Sequence, residues 1–96
     1  MERNKLTAYF GFAKRAGQLT LGVNAAACGK KFFLLAADPS ASPNTKKEIS
    51  KLRERFACPL VWLDDLGELV KKEGCKLAAV RSESLSQAIL AQTEQK

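Results

Sequence analysis

The residues best suited by type and spacing to chemistry with a partner are Gly22-Val23-Asn24. They read as a turn from which a second helix starts, and a helix start presents free backbone N–H groups that suit an anion. Lys14 and Arg15 precede them at the basic end of a first helix, and Lys30 and Lys31 follow. Backbone amides and ammonium groups hold phosphates, and the Asn24 carboxamide can donate to or accept from a base edge. Plainer readings stand beside these. Asparagine is a common N-cap, cations complement the dipole at a helix C-terminus, and paired lysines are ordinary turn residues. The value of the set lies in combination. If the first helix ends beside the start of the second, Lys14, Arg15, Asn24, Lys30 and Lys31 share one face.

Other chemistries lack their parts. A phosphate loop of the Walker type needs four residues between its glycines and then Lys-Ser/Thr. Here six residues separate Gly22 from Gly29, and Lys30 is followed by Lys31. The chain has no histidine, so no serine or cysteine has an imidazole base. Cys28, Cys58 and Cys75 are odd in number, far apart and form no Cys-x-x-Cys pair, which argues against a metal centre. They read as small buried hydrophobes in a reduced, cytoplasmic setting. Asp64 and Asp65 read as caps of a helix start, and Asp38 as the cap of a turn before Pro39. No enzyme activity, metal or cofactor is expected.

The formal net charge is +6 and the pI about 9.5, a balance that favours a polyanionic partner. Residues 1–31 hold six basic residues and one acidic, whereas residues 58–96 hold five basic and six acidic. The excess therefore belongs to the first half of the chain. No apolar run approaches the ~20 residues of a membrane span. Met1 to Lys5 and the amphipathic stretch after them do not resemble a signal-peptide core. A chain that functions inside the cell, away from membranes, is expected.

These residues must be positioned by regular elements. Leu6, Tyr9, Phe10 and Ala13 recur at helical spacing, with Asn4 as cap and Gly17 as a left-handed stop. Gln18–Leu21 alternates as a strand. A short helix over Val23–Cys28 ends at Gly29. Phe32–Ala37 is a continuous apolar run, as in a central strand buried on both faces. Asp38–Pro43 is a loop, and Thr45-Lys46-Lys47-Glu48 matches a capping box for a helix that turns Ile49, Leu52 and Phe56 inward. Pro59–Leu63 is a strand. A helix with Leu66, Leu69 and Val70 on one face follows, with Gly74 as its stop. Leu77–Val80 is the last strand. Ser84–Gln87 offers a second capping box, for a helix with Leu85, Ala88 and Ile89 on its buried stripe, and Gln92–Lys96 is a frayed tail. Helices alternating with short apolar strands imply an α/β domain around a buried sheet.

Phe12-Ala13-Lys14-Arg15-Ala16-Gly17-Gln18-Leu19 resembles the opening motif of bacterial YlxQ-like ribosomal proteins, members of the kink-turn RNA-binding superfamily. Leu34–Asp38 with Asn44–Lys47, and Cys58–Val61 with Asp65–Gly67, resemble further segments of that group in the same order. The resemblance runs from about Lys5 to Leu90. It implies a three-layer α/β/α sandwich around a mixed four-stranded sheet, in a single domain over residues 1–96. It also implies binding to kinked or structured RNA, ribosomal RNA or the ribosome included, and a monomer is expected. In the family a Gly-x-Asn-Glu-x-x-Lys segment reads the kink, and a loop before the last strand packs on protruding nucleotides. Gly22 and Asn24 match the first segment, and Lys71–Lys76, with Lys72 and Lys76, occupies the second. Ala25 stands where the family often has glutamate, and Cys28 where it has lysine. The stretch from Gly22 to Phe32 is about five residues shorter, so Lys30 or Lys31 is expected to stand in for the lysine. The alternative is a protein-interaction or scaffold module of the same fold that has lost specific RNA binding.

Overall fold

Leu6, Phe10 and Ala13 have no exposed surface, so one stripe of the first helix is driven into the core. Burying a leucine or phenylalanine side chain contributes about 1.5–3 kcal/mol. The computed structural model describes residues 3–93. It contains α1 (Arg3–Arg15), β1 (Leu19–Leu21), α2 (Val23–Ala27), β2 (Leu34–Ala37), α3 (Pro43–Phe56), β3 (Leu60–Trp62), α4 (Leu66–Leu69), β4 (Leu77–Val80) and α5 (Glu83–Thr93).

The strands form one mixed sheet in the order β1-β4-β2-β3. β4 runs antiparallel to both β1 and β2, and β2 runs parallel to β3 through the α3 crossover. β2 and β4 are central and wholly buried, and their side chains alternate between two cores. Leu34, Ala36, Ala78 and Val80 meet α1, α4 and α5 on one face. Leu35, Ala37, Leu77 and Ala79 meet α2 and α3 on the other. The architecture is the three-layer α/β/α sandwich, and the apolar run at Phe32–Ala37 does supply a central strand, over Leu34–Ala37.

α1 ends as expected: Gly17 has φ +70°, its amide donates to the Lys14 carbonyl at 3.2 Å, and the Gln18 amide donates to Ala13 at 2.8 Å. That is the Schellman pattern. Several caps differ. α1 begins at Arg3, so Asn4 lies inside it. α3 is capped by Ser42, whose hydroxyl accepts from the Thr45 amide at 3.2 Å, and Pro43 opens the helix. Proline at the first helical position loses no bonded N–H, which moves the start ahead of the Thr45–Glu48 box. Ser82 caps α5 through the Leu85 amide, displacing the Ser84–Gln87 box. α4 is one turn long; Lys71, at φ +59°, leaves helical geometry well before Gly74. Cys58 and Cys75 are buried, but Cys28 is exposed where α2 ends. α5 buries Ser86 with Ile89 and leaves Leu85 and Ala88 half-buried. It runs to Thr93, and the remainder of the expected frayed tail lies outside the described residues.

Candidate nucleic-acid interface

The sheet has two ends. The C-terminal ends of β1, β2 and β3 and the start of β4 lie together at one of them. Here the Gly22 amide donates to the Leu77 carbonyl at 2.8 Å, and the Asp38 amide donates to Lys76 at 3.0 Å. The loop 71–76 is thereby held between the start of α2 and the exit of β2. Gly22 has φ +97° and ψ 150°, a conformation essentially restricted to glycine, and it caps α2 without a side chain. Asn24 follows, exposed in the first turn of α2 rather than at the cap.

Two clefts flank the loop. One, of about 290 Å³, lies between Gly22, Val23, Thr45, Lys72 and Lys76. The other, of about 470 Å³, lies on the α4 side. It is lined by Lys71, Lys72 and Lys76 and by the carboxylates of Asp38, Asp65, Glu68 and Glu73, so its charge is mixed. The Lys76 ammonium donates to the Ser40 hydroxyl at 2.7 Å, which ties one of the candidate cations to the β2–α3 loop.

Asp38 organises this end. Its carboxylate accepts from the Ser40 amide at 2.8 Å and from the Leu66 amide at 3.1 Å, so it closes its own turn and also caps α4. Burial acts to raise its pKa. The Ser40 and Leu66 hydrogen bonds and the Lys76 charge outweigh that, and the carboxyl lies below its ordinary value. Asp38 is thus a positioning residue. Sequence reasoning found its turn but not its reach across 28 positions to α4.

Gly67 is a second positioning residue, and one that sequence reasoning passed over. The Lys72 amide donates to the Gly67 carbonyl at 2.9 Å. A Cβ on Gly67 would stand 2.7 Å from the Lys72 carbonyl oxygen and 3.2 Å from the Gly74 nitrogen. Only a residue without a side chain lets the loop 71–76 pack this closely on α4. The available signal was the Asp65-Leu66-Gly67 segment itself.

The candidate residues do not form one face. Gly22, Lys72 and Lys76 line one cleft at the end just described, and Asn24 lies at the same end in the first turn of α2. Lys30 and Lys31 lead into β2, whose first residue pairs with Val80, and the Phe33 amide donates to the Val80 carbonyl. Leu19 also pairs with Val80, so the turn after Arg15 is there too. β1 carries the chain across the sheet between α1 and α2, about 10 Å for three residues. α2 then carries it back. Arg15, Lys30 and Lys31 therefore lie at the end opposite Asn24, and neither Lys30 nor Lys31 stands in for a lysine at the α2 start. Lys14 is occupied elsewhere: its ammonium donates to the Val70 carbonyl at 3.2 Å, beyond α4.

Among the described residues no group of His, Cys, Asp or Glu could hold a metal ion, and no helix is long and apolar enough to cross a membrane. No family model matches the chain, nor does any curated protein. Solved structures do. A Bacillus halodurans protein of unknown function superposes with a TM-score of 0.78 at 23% identity, over 95% of this chain and 98% of that one. A Giardia lamblia 15.5kD RNA-binding protein superposes with a TM-score of 0.67 at 17% identity, over 93% of this chain and 83% of that one. At these identities the likeness establishes a shared fold.

Proposed function

We propose that the chain is a single, non-enzymatic RNA-binding domain of the YlxQ-like kind, monomeric, cytoplasmic and ribosome-associated, that recognises kinked or structured RNA at the α2 end of its sheet. The observation that carries this is the hydrogen bond from Gly22 to Leu77, which sets the start of α2, just before Asn24, against a cleft lined by Lys72, Glu73 and Lys76. The fold shared with the Giardia RNA-binding protein adds support. RNA recognition targets unstacked bases next to a held backbone. Asn24 is suited to a base edge and the two lysines to the adjoining phosphates. α2 is a five-residue helix, so its dipole is weak and the side chains carry most of the interaction.

Filter binding with a kink-turn RNA and a plain duplex tests this reading. Wild type is expected to prefer the kinked RNA. Replacing Asn24, Lys72 and Lys76 together with alanine should weaken kinked-RNA binding at least about tenfold, since one base contact alone is worth roughly 1–3 kcal/mol. Unchanged affinity in the triple variant refutes the reading. The four carboxylates in the larger cleft, with Trp62 left 44% exposed on the edge strand β3, favour the second reading, a protein-interaction module of the same fold. That reading predicts no RNA binding by wild type at any salt concentration.

A further inference from the structure

The charge of this protein is concentrated away from the cleft end. At the opposite end of the sheet lie Arg15 in the last turn of α1 and Lys30 and Lys31 between α2 and β2. Arg53 and Arg55 in the last turn of α3 and Arg81 just after β4 join them. All six are exposed. Among the described residues Glu54 and Glu83 are the acids at this end, so six cations face two carboxylates, a local balance of +4. Among the described residues the one ion pair is Lys51 with Glu48, so none of the six is neutralised by a salt bridge.

Their placement is held by the fold. The Arg81 guanidinium donates to the Gly17 carbonyl, and that of Arg55 donates to the Ala27 carbonyl at 2.7 Å. Arg55 thus answers the negative end of α2, Arg81 ties down the turn after α1, and each guanidinium keeps further N–H donors for a partner. Arg15 stands 5.3 Å from the Phe12 ring, Lys31 5.1 Å from Phe33, and Arg55 5.1 Å from Phe56. Ring contacts of this kind restrain long side chains and lower the entropy lost on binding. Neighbouring strands are about 4.8 Å apart, so a row running from β1 past β4 to β2 and out to α3 spans at least ~10 Å. Unneutralised cations over that width, four of the six restrained by these contacts, match the closely spaced phosphates of a nucleic-acid duplex, which carries one charge per ~1.7 Å of axis in DNA. An acidic peptide has neither that spacing nor that charge density.

We propose that this basic end is a second RNA-binding surface, which holds the phosphate backbone of a duplex without reading its sequence, while the α2 end contacts the kink. The proposal takes RNA as the polyanion from the function proposed above. It adds that the two activities are separable and sit on opposite ends of one sheet.

The test pairs two variants with two RNAs, over a range of salt concentrations. Arg15→Gln, Lys30→Gln and Lys31→Gln are combined in one variant, leaving the backbone-bonded Arg55 and Arg81 intact. Lys72→Ala and Lys76→Ala are combined in the other. Circular dichroism verifies that both are folded. Wild type should bind a plain RNA duplex with a steep salt dependence. The Gln variant should lose plain-duplex binding about tenfold or more at low salt, with the log–log salt slope reduced by roughly 2–3, close to one for each phosphate no longer neutralised. The Lys72/Lys76 variant should keep plain-duplex binding and lose the preference for kinked RNA. A Gln variant that binds plain duplex like wild type, with the same slope, overturns the proposal. So does a wild type that binds kinked RNA but no plain duplex, an outcome that leaves the function reading standing. Loss of kink preference in wild type, with the Gln variant still defective on duplex, fails the function reading and upholds this one. Polyglutamate competing as well as duplex RNA at equal charge overturns the assignment to RNA.

Discussion

Replacing Asp38 with alanine should cost roughly 2–4 kcal/mol at neutral pH. The carboxylate is 7% exposed and accepts two backbone N–H groups, from Ser40 at 2.8 Å and Leu66 at 3.1 Å. The Leu66 amide is buried, and leaving it unpaired costs about 1–3 kcal/mol. The Ser40 amide is nearer to water, so its loss adds about 0.5–1.5 kcal/mol. A domain of this size has about 5–15 kcal/mol in total. At about 4–8 °C per kcal/mol the melting temperature should fall by roughly 8–32 °C. Asp38→Asn keeps one acceptor and should fall between wild type and alanine. The pH dependence separates this mechanism from simple loss of packing. The folded-state pKa of Asp38 lies below its ordinary value, so the folded protein binds this proton less readily than the unfolded chain does. Its contribution is complete above the unfolded pKa of about 3.9 and disappears as the pH falls through the lower folded value. Urea titrations followed by far-UV circular dichroism, from pH 7 down to about pH 3, should show the Asp38→Ala deficit constant above about pH 5 and narrowing below pH 4. A deficit under about 0.5 kcal/mol at pH 7 would refute the reasoning. A deficit that does not narrow in acid would assign the effect to packing instead.

Gly67→Ala should displace the loop 71–76, because the new methyl meets the Lys72 carbonyl at 2.7 Å. The expected cost is about 1–3 kcal/mol of stability, with a several-fold loss of kinked-RNA affinity at a temperature where the variant remains folded; wild-type affinity there refutes the positioning role. Native-state titration with a thiol reagent should modify Cys28 rapidly and spare Cys58 and Cys75 until denaturant is added. Burial both shields the Cys58 thiol and pushes its pKa up, which lowers the reactive thiolate fraction. Two or three fast-reacting thiols would contradict the described burial.

Local chemistry made much of the fold legible. The spacing of Leu6, Phe10 and Ala13 marks a helix with one buried stripe, and Gly17 marks its stop. The apolar runs at Leu34–Ala37 and Leu77–Val80 mark strands without a solvent face. Caps were less legible because Ser, Thr and Asp crowd each helix start. Ser42 and Ser82 prevail over the alternatives through the position of Pro43 and the geometry of the preceding turns, which a residue pattern does not encode. The one-turn length of α4 escaped for a related reason. Its apolar face is real, but Lys71 takes a left-handed conformation that no residue preference of lysine announces.

The elements, the candidate cations and the glycine at the α2 start can be read from the chain alone, since they depend on residues near one another in it. Which of those residues come together depends on the packing of the sheet and helices. Asn24 is closer in sequence to Lys30 and Lys31 than to Lys72, yet it shares an end of the sheet with Lys72 and Lys76. The reason is strand direction. β1 runs antiparallel to β4, so the exit of β1 meets the entry of β4, while α2 returns the following lysines to the far end. Arg15, Lys30 and Lys31, neighbours of Asn24 in the chain, are therefore gathered at the end of the molecule opposite it.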